Sequence, residues 1–298
     1  MDQKNKPLVS IVIPCYNHEK YVQDTIRSVI DQSYENIELI IIDDGSKDSS
    51  VEKIQQMLYE CQNRFTRFEF RSRANKGLSA TLNEAIEWSK GKYFSAIASD
   101  DLMLKDKTST QVRVLEKNNE VVALFGSVNY INENNVVQQI NTLEEKEYPF
   151  DKIILNECHF YAPTQMLKME VLRKIGGYNE EIRVEDWYMW LKMAENGKVL
   201  CISDKLAIYR IHSANTTRNS KFIFEENLKT LNYYKNHELY NQAYHKLRWT
   251  YIIWTGQKSK IESLLLLFKF ILSNPEQTFT RNFLVYCKYF FVKIKNWY

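Results

Sequence analysis

Residues 9–46, VSIVIPCYNHEKYVQDTIRSVIDQSYENIELIIIDDGS, decide the fold class of this chain. Two β-rich apolar runs, VSIVIP (9–14) and IELIIIDDGS (37–46), flank a segment in which apolar residues such as Val22 and Ile26 recur at helical spacing. The second run ends in carboxylates and a glycine turn. Strand, helix and strand in this order predict the first unit of a mainly parallel sheet with helices on its faces.

The alternation continues on the C-terminal side of this stretch. The sequence predicts a helix over 48–61 and then, in order, the strand RFEFRSR, the helix GLSATLNEAIEWSKG and the strand KYFSAIASDD. Farther on it predicts a helix over 105–118, a strand over 121–131 and a helix over 184–197. We therefore expect an α/β domain over residues 1–220, with a Rossmann-like sheet.

Residues 221–298 differ in composition from the rest of the chain. They hold 12 of the 40 Lys and Arg residues, five of the 37 Asp and Glu residues and 19 of the 40 aromatic residues. Their pattern is largely helical, with a break at Pro275. We expect a helical, basic and aromatic C-terminal region, and FLVYCKYFFVKIKNWY (283–298) is a candidate for contact with an anionic membrane surface. Alternatively, these helices pack on the first domain or on a second subunit of a homo-oligomer.

Bulk composition excludes several classes of protein. Hydrophobic residues make up 44% of the chain and charged residues 26%, which indicates a globular core, and a net charge of +3 does not indicate nucleic-acid binding. Five scattered cysteines without CxxC spacing argue against a disulfide framework and a zinc site. Because no run of about 18 apolar residues occurs and the chain starts with the polar MDQKNKP, we expect a cytoplasmic protein, with peripheral contact at the inner face of the membrane.

Polar residues follow three of the predicted strands, in PCYN (14–17), DDGS (43–46) and SDD (99–101). Since ligands bind at the carboxyl ends of strands in open α/β sheets, we expect these three clusters to meet along one edge. Tyr16 offers a stacking surface for a nucleobase, and Asp44 can accept hydrogen bonds from a base or a ribose. The alternative for DDGS is a plain turn, because Asp and Gly favour turns.

Two acidic pairs are candidates for catalysis. Asp100 and Asp101 follow a strand, and a short acidic pair is what Mg²⁺ or Mn²⁺ needs beside phosphate oxygens; the alternative is a helix N-cap at Asp101. Glu185 and Asp186 begin an amphipathic helix, where a partly apolar cleft raises the pKa of a carboxylate and suits it to proton abstraction; the alternative is an interaction with the helix dipole. His212 could bind a metal or a diphosphate, although a lone histidine is more often structural.

Five blocks of the sequence, in this order, resemble inverting glycosyltransferase family 2, which has the GT-A fold, and the resemblance covers residues 8–218. The stretch that runs from VSIVIPCYN to IIIDDGSKDSS is similar to its opening signature, and RANKGLSATLNEAI to its Asn-x-Gly helix segment. IASDD resembles its DxD-type metal motif, VEDWYMWL its ED motif and YRIH its late Arg/His segment. The family often has Asp-x-Asp-Asp, whereas Ala98 stands at the first of these positions, so one carboxylate contact is missing.

The resemblance implies a role for each site residue. Contact with the nucleotide is implied for Pro14, Tyr16, Asp44, Asn75, Gly77, Asp100 and Arg210. Metal binding, of Mn²⁺ or Mg²⁺, is implied for Asp101 with His212, and Asp186 is implied as the general base with Glu185 beside it. The expected reaction is inverting transfer of a sugar from a nucleotide diphosphate donor, with a UDP-sugar preferred, to an acceptor hydroxyl. By analogy with bacterial members of this size, we expect a lipid-linked saccharide acceptor in capsule or O-antigen synthesis.

Other classes fit the chain less well. A sugar-nucleotide pyrophosphorylase and a Rossmann oxidoreductase both need a glycine-rich loop after the first strand, and PCYNHEK contains no glycine. A processive polysaccharide synthase usually has membrane spans and a Gln-x-x-Arg-Trp motif, whereas HKLRW (245–249) has His in place of Gln and no span follows it. The alternative from another class is a non-catalytic, nucleotide-sugar-binding scaffold. The presence of both Asp101 and Asp186 argues against it, because a binder needs no base.

Overall fold

The computed structural model describes residues 6–213, 215 and 219–291, except for the side chains of 140, 141, 289 and 291. The chain divides into two compact units, Met1–Ser213 and Ala214–Tyr298. The sequence places its predicted boundary at residue 220. The end of the candidate membrane segment, residues 292–298, lies outside the described residues.

The first unit combines one sheet with surrounding helices. In the described residues its strands are β1 (Val9–Cys15), β2 (Ile37–Asp43), β3 (Arg67–Ser72), β4 (Tyr93–Ala96), β5 (Leu102–Met103), β6 (Val121–Asn132), β7 (Val137–Asn141), β8 (Lys146–Tyr148), β9 (Met166–Lys168) and β10 (Lys198–Ile211). Its helices there are α1 (Val22–Ile30), α2 (Ser50–Gln55), α3 (Leu58–Arg64), α4 (Leu78–Trp88), α5 (Lys107–Lys117), α6 (Phe150–Ile154), α7 (Met169–Lys174), α8 (Asp186–Ala194) and the 3-10 helix Ala162–Thr164.

The sheet has the strand order β3-β2-β1-β4-β9-β6-β10-β5, with β7 beside β6 and β8 beside β10. Strands β3, β2, β1 and β4 are parallel neighbours, as the sequence predicts. The short strand β9 then runs antiparallel to both β4 and β6, and the long strands β6 and β10 are parallel again. The predicted GT-A-type α/β fold is confirmed, and its sheet is mixed beyond β4.

Burial on both faces explains the apolar strand sequences. Strands β1 and β2 are covered on both sides, and a strand in that position reads as a nearly continuous run of Val and Ile. Helix α1 contributes to this cover with fully buried residues such as Val22 and Ile26. The predicted helix over 48–61 is two helices, α2 and α3, because the chain tightens at Met57, whose N–H donates to the carbonyl of Ile54 at 2.9 Å.

The second unit is helical over the residues that the structure describes. Its helices are α9 (Ser220–Asn232), α10 (Tyr240–Lys258), α11 (Lys260–Ser273), the 3-10 helix Pro275–Gln277 and α12 (Arg281–Phe291). Trp249, Ile252, Phe270 and Tyr286 form its buried apolar cluster. The predicted break at Pro275 separates α11 from α12. None of the described helices combines the length and the apolar character that crossing a membrane requires.

Candidate active site

Three loops meet at the carboxyl edge of the parallel strands. Because β1 lies between β2 and β4 and is parallel to both, the chain leaves all three strands at the same edge. The N–H of Asn17, after β1, donates to Ser46 Oγ, after β2, at 2.8 Å. His18 Nδ1 lies 2.7 Å from Ser99 Oγ, in the loop after β4. The polar clusters after these strands therefore lie together, as their positions in the sequence predict.

Asp44 holds the loop between β3 and α4. One of its carboxylate oxygens accepts the N–H of Lys76 at 2.8 Å and the other accepts the N–H of Gly77 at 2.9 Å, and the same carboxylate pairs with Arg73. Gly77 has a φ of +92°, a conformation that glycine adopts without steric penalty. The structure thus joins Asp44 to Gly77, two of the predicted nucleotide residues, and engages both carboxylate oxygens of Asp44 within the protein.

The other predicted nucleotide residues on this side are more open. The side chain of Tyr16 is 47% exposed, Asn75 is exposed and Pro14 is partly buried. The backbone of Asn75 packs directly on the turn after β2, since a Cβ built on Gly45 would lie 2.7 Å from the Asn75 nitrogen. This turn therefore needs glycine, and the close contact fixes the loop that presents Asn75.

A compact group of potential metal ligands lies beside these loops. His18, Asp100 and His212 each offer one ligand atom, and these atoms lie within 4.8 Å of one another. Asp100 Oδ2 is 2.8 Å from His212 Nε2 and 3.8 Å from His18 Nε2. The ring of His212 stacks on Tyr21, with 5.2 Å between the centroids. In the part of the chain that the structure describes, this is the one such group of three or more His, Cys, Asp or Glu side chains.

The electrostatics of this group favour an ionised carboxylate. Burial acts to raise the pKa of Asp100, but the hydrogen bond with His212 and the neighbouring His18 outweigh burial and hold that pKa below its usual value. Burial lowers the pKa of His18, which favours a neutral imidazole. Two imidazole nitrogens and one carboxylate oxygen form a donor set that suits Mn²⁺ and its first-row neighbours.

Asp101, the predicted metal ligand, makes different contacts. Its Oδ1 accepts the backbone N–H of Arg210 at 2.8 Å, and its carbonyl accepts the hydroxyl of Thr25 at 2.8 Å. Burial, and then the charge of Asp100, raise the pKa of Asp101 well above its usual value. Arg210 is buried, its Nε donates to the carbonyl of Asp100 at 2.8 Å, and its guanidinium lies over the ring of Tyr21. Arg210 and Asp101 together hold the backbone of the acidic pair.

Sequence patterns provide no reason to select His18 as a ligand. A single histidine in PCYNHEK has no spacing pattern, and its partners Asp100 and His212 come from distant loops. The signal was indirect: His18 follows a strand at the edge where the other candidates were expected. Strand order was needed to bring the three side chains together.

The second acidic pair begins α8. Glu185 precedes the helix and is buried, whereas Asp186 is its first residue and is half-buried. Burial raises the pKa of Asp186 to about 6. Burial, and then the neighbouring Asp186, raise the pKa of Glu185 well above its usual value. The environment of Glu185 therefore favours its neutral form, and Asp186 has a pKa of about 6, close to neutral pH.

Helix α4 fixes the loop that precedes this second pair. Ser79 Oγ donates to the carbonyl of Ile182 at 2.7 Å. Asn83 exchanges two hydrogen bonds with the backbone of Tyr178, donating at 2.9 Å and accepting at 2.8 Å. The same helix starts directly after Gly77. One helix thus links the nucleotide-side loop to the segment that leads into α8.

The GT-A-type fold and the acidic residues at the carboxyl edge of its parallel strands agree with the family to which the sequence is matched. Residues 10–176 match Glycosyl transferase family 2, and the chain belongs to this family. An uncharacterised glycosyltransferase of Methanocaldococcus jannaschii is 30% identical over 213 residues, which cover 70% of this chain and 72% of that protein. Another, from Rickettsia felis, is 30% identical over 219 residues, and the match covers 70% of this chain and 35% of that longer protein.

Two solved structures have the same fold at low sequence identity. The S. aureus protein TarS, residues 1–349, in complex with UDP-GlcNAc, has a TM-score of 0.62 and 17% identity, over 93% of this chain and 79% of that chain. The mannosyltransferase PcManGT from Pyrobaculum calidifontis, in complex with GDP-Man and Mn²⁺, has a TM-score of 0.62 and 14% identity, over 98% of this chain and 88% of that chain.

Proposed function

We propose that this protein transfers a sugar, with inversion, from a nucleoside diphosphate donor to an acceptor hydroxyl, and that Asp186 is the general base. The observation that carries the proposal is the pKa of about 6 that burial gives Asp186 at the start of α8. A base with a pKa near the working pH is ionised at pH 7 and still has useful proton affinity. Membership of glycosyltransferase family 2 supports the reaction class.

The donor site lies in this proposal at the loops after β1, β2 and β3. Tyr16 stacks on the nucleobase with its exposed ring, and Pro14 and Asn75 line the same pocket. Asp44 contributes chiefly by holding the backbone around Gly77, since its carboxylate oxygens already accept hydrogen bonds from that loop. TarS is solved with UDP-GlcNAc and PcManGT with GDP-Man, which supports a nucleotide-sugar donor, and we propose a UDP-sugar.

The divalent cation, Mn²⁺ or Mg²⁺, is assigned in this proposal to His18, Asp100 and His212. The fit rests on the convergence of three ligand atoms and on the contact between His18 Nδ1 and Ser99 Oγ, which leaves Nε2 for a ligand. PcManGT, with the same fold, is solved with Mn²⁺. When bound, such a cation neutralises charge on the diphosphate. Asp101 and Arg210 act as positioning residues, because their mutual hydrogen bond and the bond from Arg210 to the Asp100 carbonyl fix the ligand loop.

The reaction itself is a direct displacement. The Asp186 carboxylate takes the proton of the acceptor hydroxyl while the acceptor oxygen attacks the anomeric carbon of the donor sugar. The bond between that carbon and the diphosphate oxygen breaks, and the nucleoside diphosphate leaves with the bonding electrons. Attack from the face opposite the leaving group inverts the anomeric configuration. Glu185 stands beside the base, and its raised pKa favours its neutral form.

We further propose a lipid-linked saccharide as the acceptor, in the assembly of a bacterial surface polysaccharide such as capsule or O-antigen, at the cytoplasmic face of the membrane. The basic and aromatic composition of residues 221–298 supports this location.

A donor screen tests the proposed function. Purified protein is incubated with single UDP- and GDP-sugars and with Mn²⁺, Mg²⁺ or EDTA, and the release of UDP or GDP is measured with and without saccharide acceptors. We expect one donor to be used, with Mn²⁺ more effective than Mg²⁺, and no release in EDTA. The Asp186→Asn variant serves as the control for contaminating enzymes. Binding of a nucleotide sugar without any turnover, under all acceptor conditions, would instead favour a non-catalytic scaffold.

A further inference from the structure

Helix α11 carries an apolar stripe that the other described residues of the second unit leave uncovered. Its members have these exposed fractions: Ile261 76%, Leu264 44%, Leu265 59%, Phe268 65% and Leu272 67%. At about 100° per residue these five positions fall within a stripe roughly 100° wide, and no ionisable residue lies inside it. We call this set of five residues the α11 stripe.

The opposite face of α11 already has its packing partners. Ser263 and Phe270 are buried, and Phe270 packs with Trp249 in the cluster between α10, α11 and α12. The helix is therefore apolar on both sides, and only one side contributes to the core of the unit. A contiguous apolar face left exposed on a helix marks a contact surface, so the α11 stripe needs an apolar partner beyond the described residues.

The turn after α11 has the same character. Phe279 is 80% exposed and adopts a φ of +67°, a left-handed conformation that is unfavourable for a residue other than glycine. Leu284, in α12, is 60% exposed. Strain at Phe279 is not offset by burial of its ring inside the protein. An apolar environment outside the chain would provide that burial.

We infer that the α11 stripe docks on an anionic lipid surface, with α11 lying in the plane of the interface. Charge decides between lipid and a second copy of this chain. Lysines 260 and 269 lie on either side of the stripe, with Glu262 beside Lys269, and residues 221–298 hold 12 Lys and Arg against five Asp and Glu. Two copies that met through this face would bring together two units of net positive charge, whereas anionic headgroups complement that charge.

The length of α11 supports the same geometry. Its 14 residues extend about 21 Å at 1.5 Å per residue, which is shorter than the hydrocarbon core of a bilayer. Its length therefore rules out a spanning orientation, and a helix with one free apolar face binds in the interface, at the boundary between headgroups and acyl chains. This inference concerns a surface distinct from the donor and base residues, and it does not depend on the proposed reaction.

Vesicle flotation of the full chain tests the inference. The triple variant Leu265→Gln, Phe268→Gln, Leu272→Gln is compared with wild type on vesicles of phosphatidylcholine alone and of phosphatidylcholine mixed with phosphatidylglycerol. We expect wild type to float with the anionic vesicles, and the triple variant to lose about tenfold or more in partition coefficient. The double variant Lys260→Gln, Lys269→Gln loses less, and its loss disappears at high salt.

The matched control replaces three exposed apolar residues of the first unit, in the variant Tyr59→Gln, Val136→Gln, Val137→Gln, which keeps the flotation of wild type. Circular dichroism checks that all variants are folded. Absence of flotation by wild type, or equal flotation by the α11 triple variant, overturns the inference. Sedimentation velocity tests the remaining case, in which the stripe joins two copies of the chain. In that case wild type is a dimer, the α11 triple variant is a monomer, and neither binds lipid.

Discussion

The two acidic pairs of the first unit have similar sequences and different electrostatics. Asp100 and Asp101 lie beside imidazoles and a buried arginine. By contrast, no positively charged group contributes to the pKa shift of Glu185 or Asp186. In the first pair, contact with His212 and His18 keeps the pKa of Asp100 low. In the second pair, burial dominates and raises both pKa values.

This difference assigns two kinds of chemistry to the same type of side chain. A carboxylate whose pKa is held low and that lies beside two imidazole nitrogens is suited to a cation. A carboxylate whose pKa is raised to about 6 is suited to taking a proton. The different pKa values of the two pairs are the basis on which the proposed function gives them different roles.

The largest expected effect is that of Asp186→Asn. We expect kcat to fall by about 100-fold or more with nearly unchanged donor affinity, because the amide cannot accept the proton. Steady-state kinetics and calorimetric donor binding measure the two quantities. A collapse of donor affinity with unchanged turnover per bound donor would make Asp186 a binding residue.

The same substitution should not lower the stability of the protein at pH 7. Because the folded-state pKa of Asp186 is above the ordinary value, its ionisation opposes folding, and stability declines as pH rises from about 4 to about 6. Asn carries no such charge. The melting temperature of Asp186→Asn at pH 7 should therefore equal or exceed that of wild type.

Replacing Asp100 comes next in size and tests the first pair. We expect Asp100→Asn to weaken Mn²⁺ binding by about tenfold or more, since it removes the charged ligand between two imidazoles. Electron paramagnetic resonance of free Mn²⁺ measures the affinity, and Asp106→Asn, at an exposed acid nearby, is the control. Asp101→Asn should weaken binding less. The reverse order, with Asp101→Asn abolishing binding and Asp100→Asn retaining it, would restore Asp101 as the ligand.

The pH dependence of the reaction tests the role of Asp186 in the second pair. Below about pH 6, Asp186 is protonated, so we expect kcat/KM to fall by about tenfold per pH unit as pH decreases and to level off above pH 7. Profiles are measured at saturating Mn²⁺, because protonation of histidine ligands also weakens metal binding. The residual activity of Asp186→Asn should lack this limb. An identical limb in that variant would assign it to another group.

The smallest expected effect is that of Glu185→Gln. Because burial and Asp186 raise the pKa of Glu185 well above its usual value and favour its neutral form, an uncharged amide of similar shape should change kcat by less than about threefold. Initial rates at pH 7 measure it. A loss as large as that of Asp186→Asn would transfer the role of base to Glu185.

Local patterns were sufficient for the first half of the sheet. Strands β1 and β2 and helix α1 follow from apolar periodicity, and parallel pairing then places the loops after β1, β2 and β4 at one edge. The second half was not accessible in this way. Strands β5, β8 and β9 have two or three residues each, too few to show alternation, and their pairing decides where the sheet becomes mixed.

The sequence also does not predict which contacts each member of an acidic pair makes. Asp100 and Asp101 are adjacent, and only the direction of the backbone decides which one meets His18 and which one meets the N–H of Arg210. Long-range contacts fix that direction. Asp186 was easier to select, because its raised pKa follows from a helix start among large apolar residues.

The strand order has a consequence for synthesis of the chain. Strand β6 is an apolar segment whose parallel partner, β10, begins at Lys198, 66 residues after β6 ends at Asn132. At about 5–20 residues per second, the ribosome needs roughly 3–13 s to supply it. During this interval one edge of a β-rich apolar segment has unpaired backbone groups, which favours association between nascent chains. We expect the soluble yield to rise with lower expression temperature or added chaperones, because both reduce association of nascent chains through β6 before β10 pairs with it.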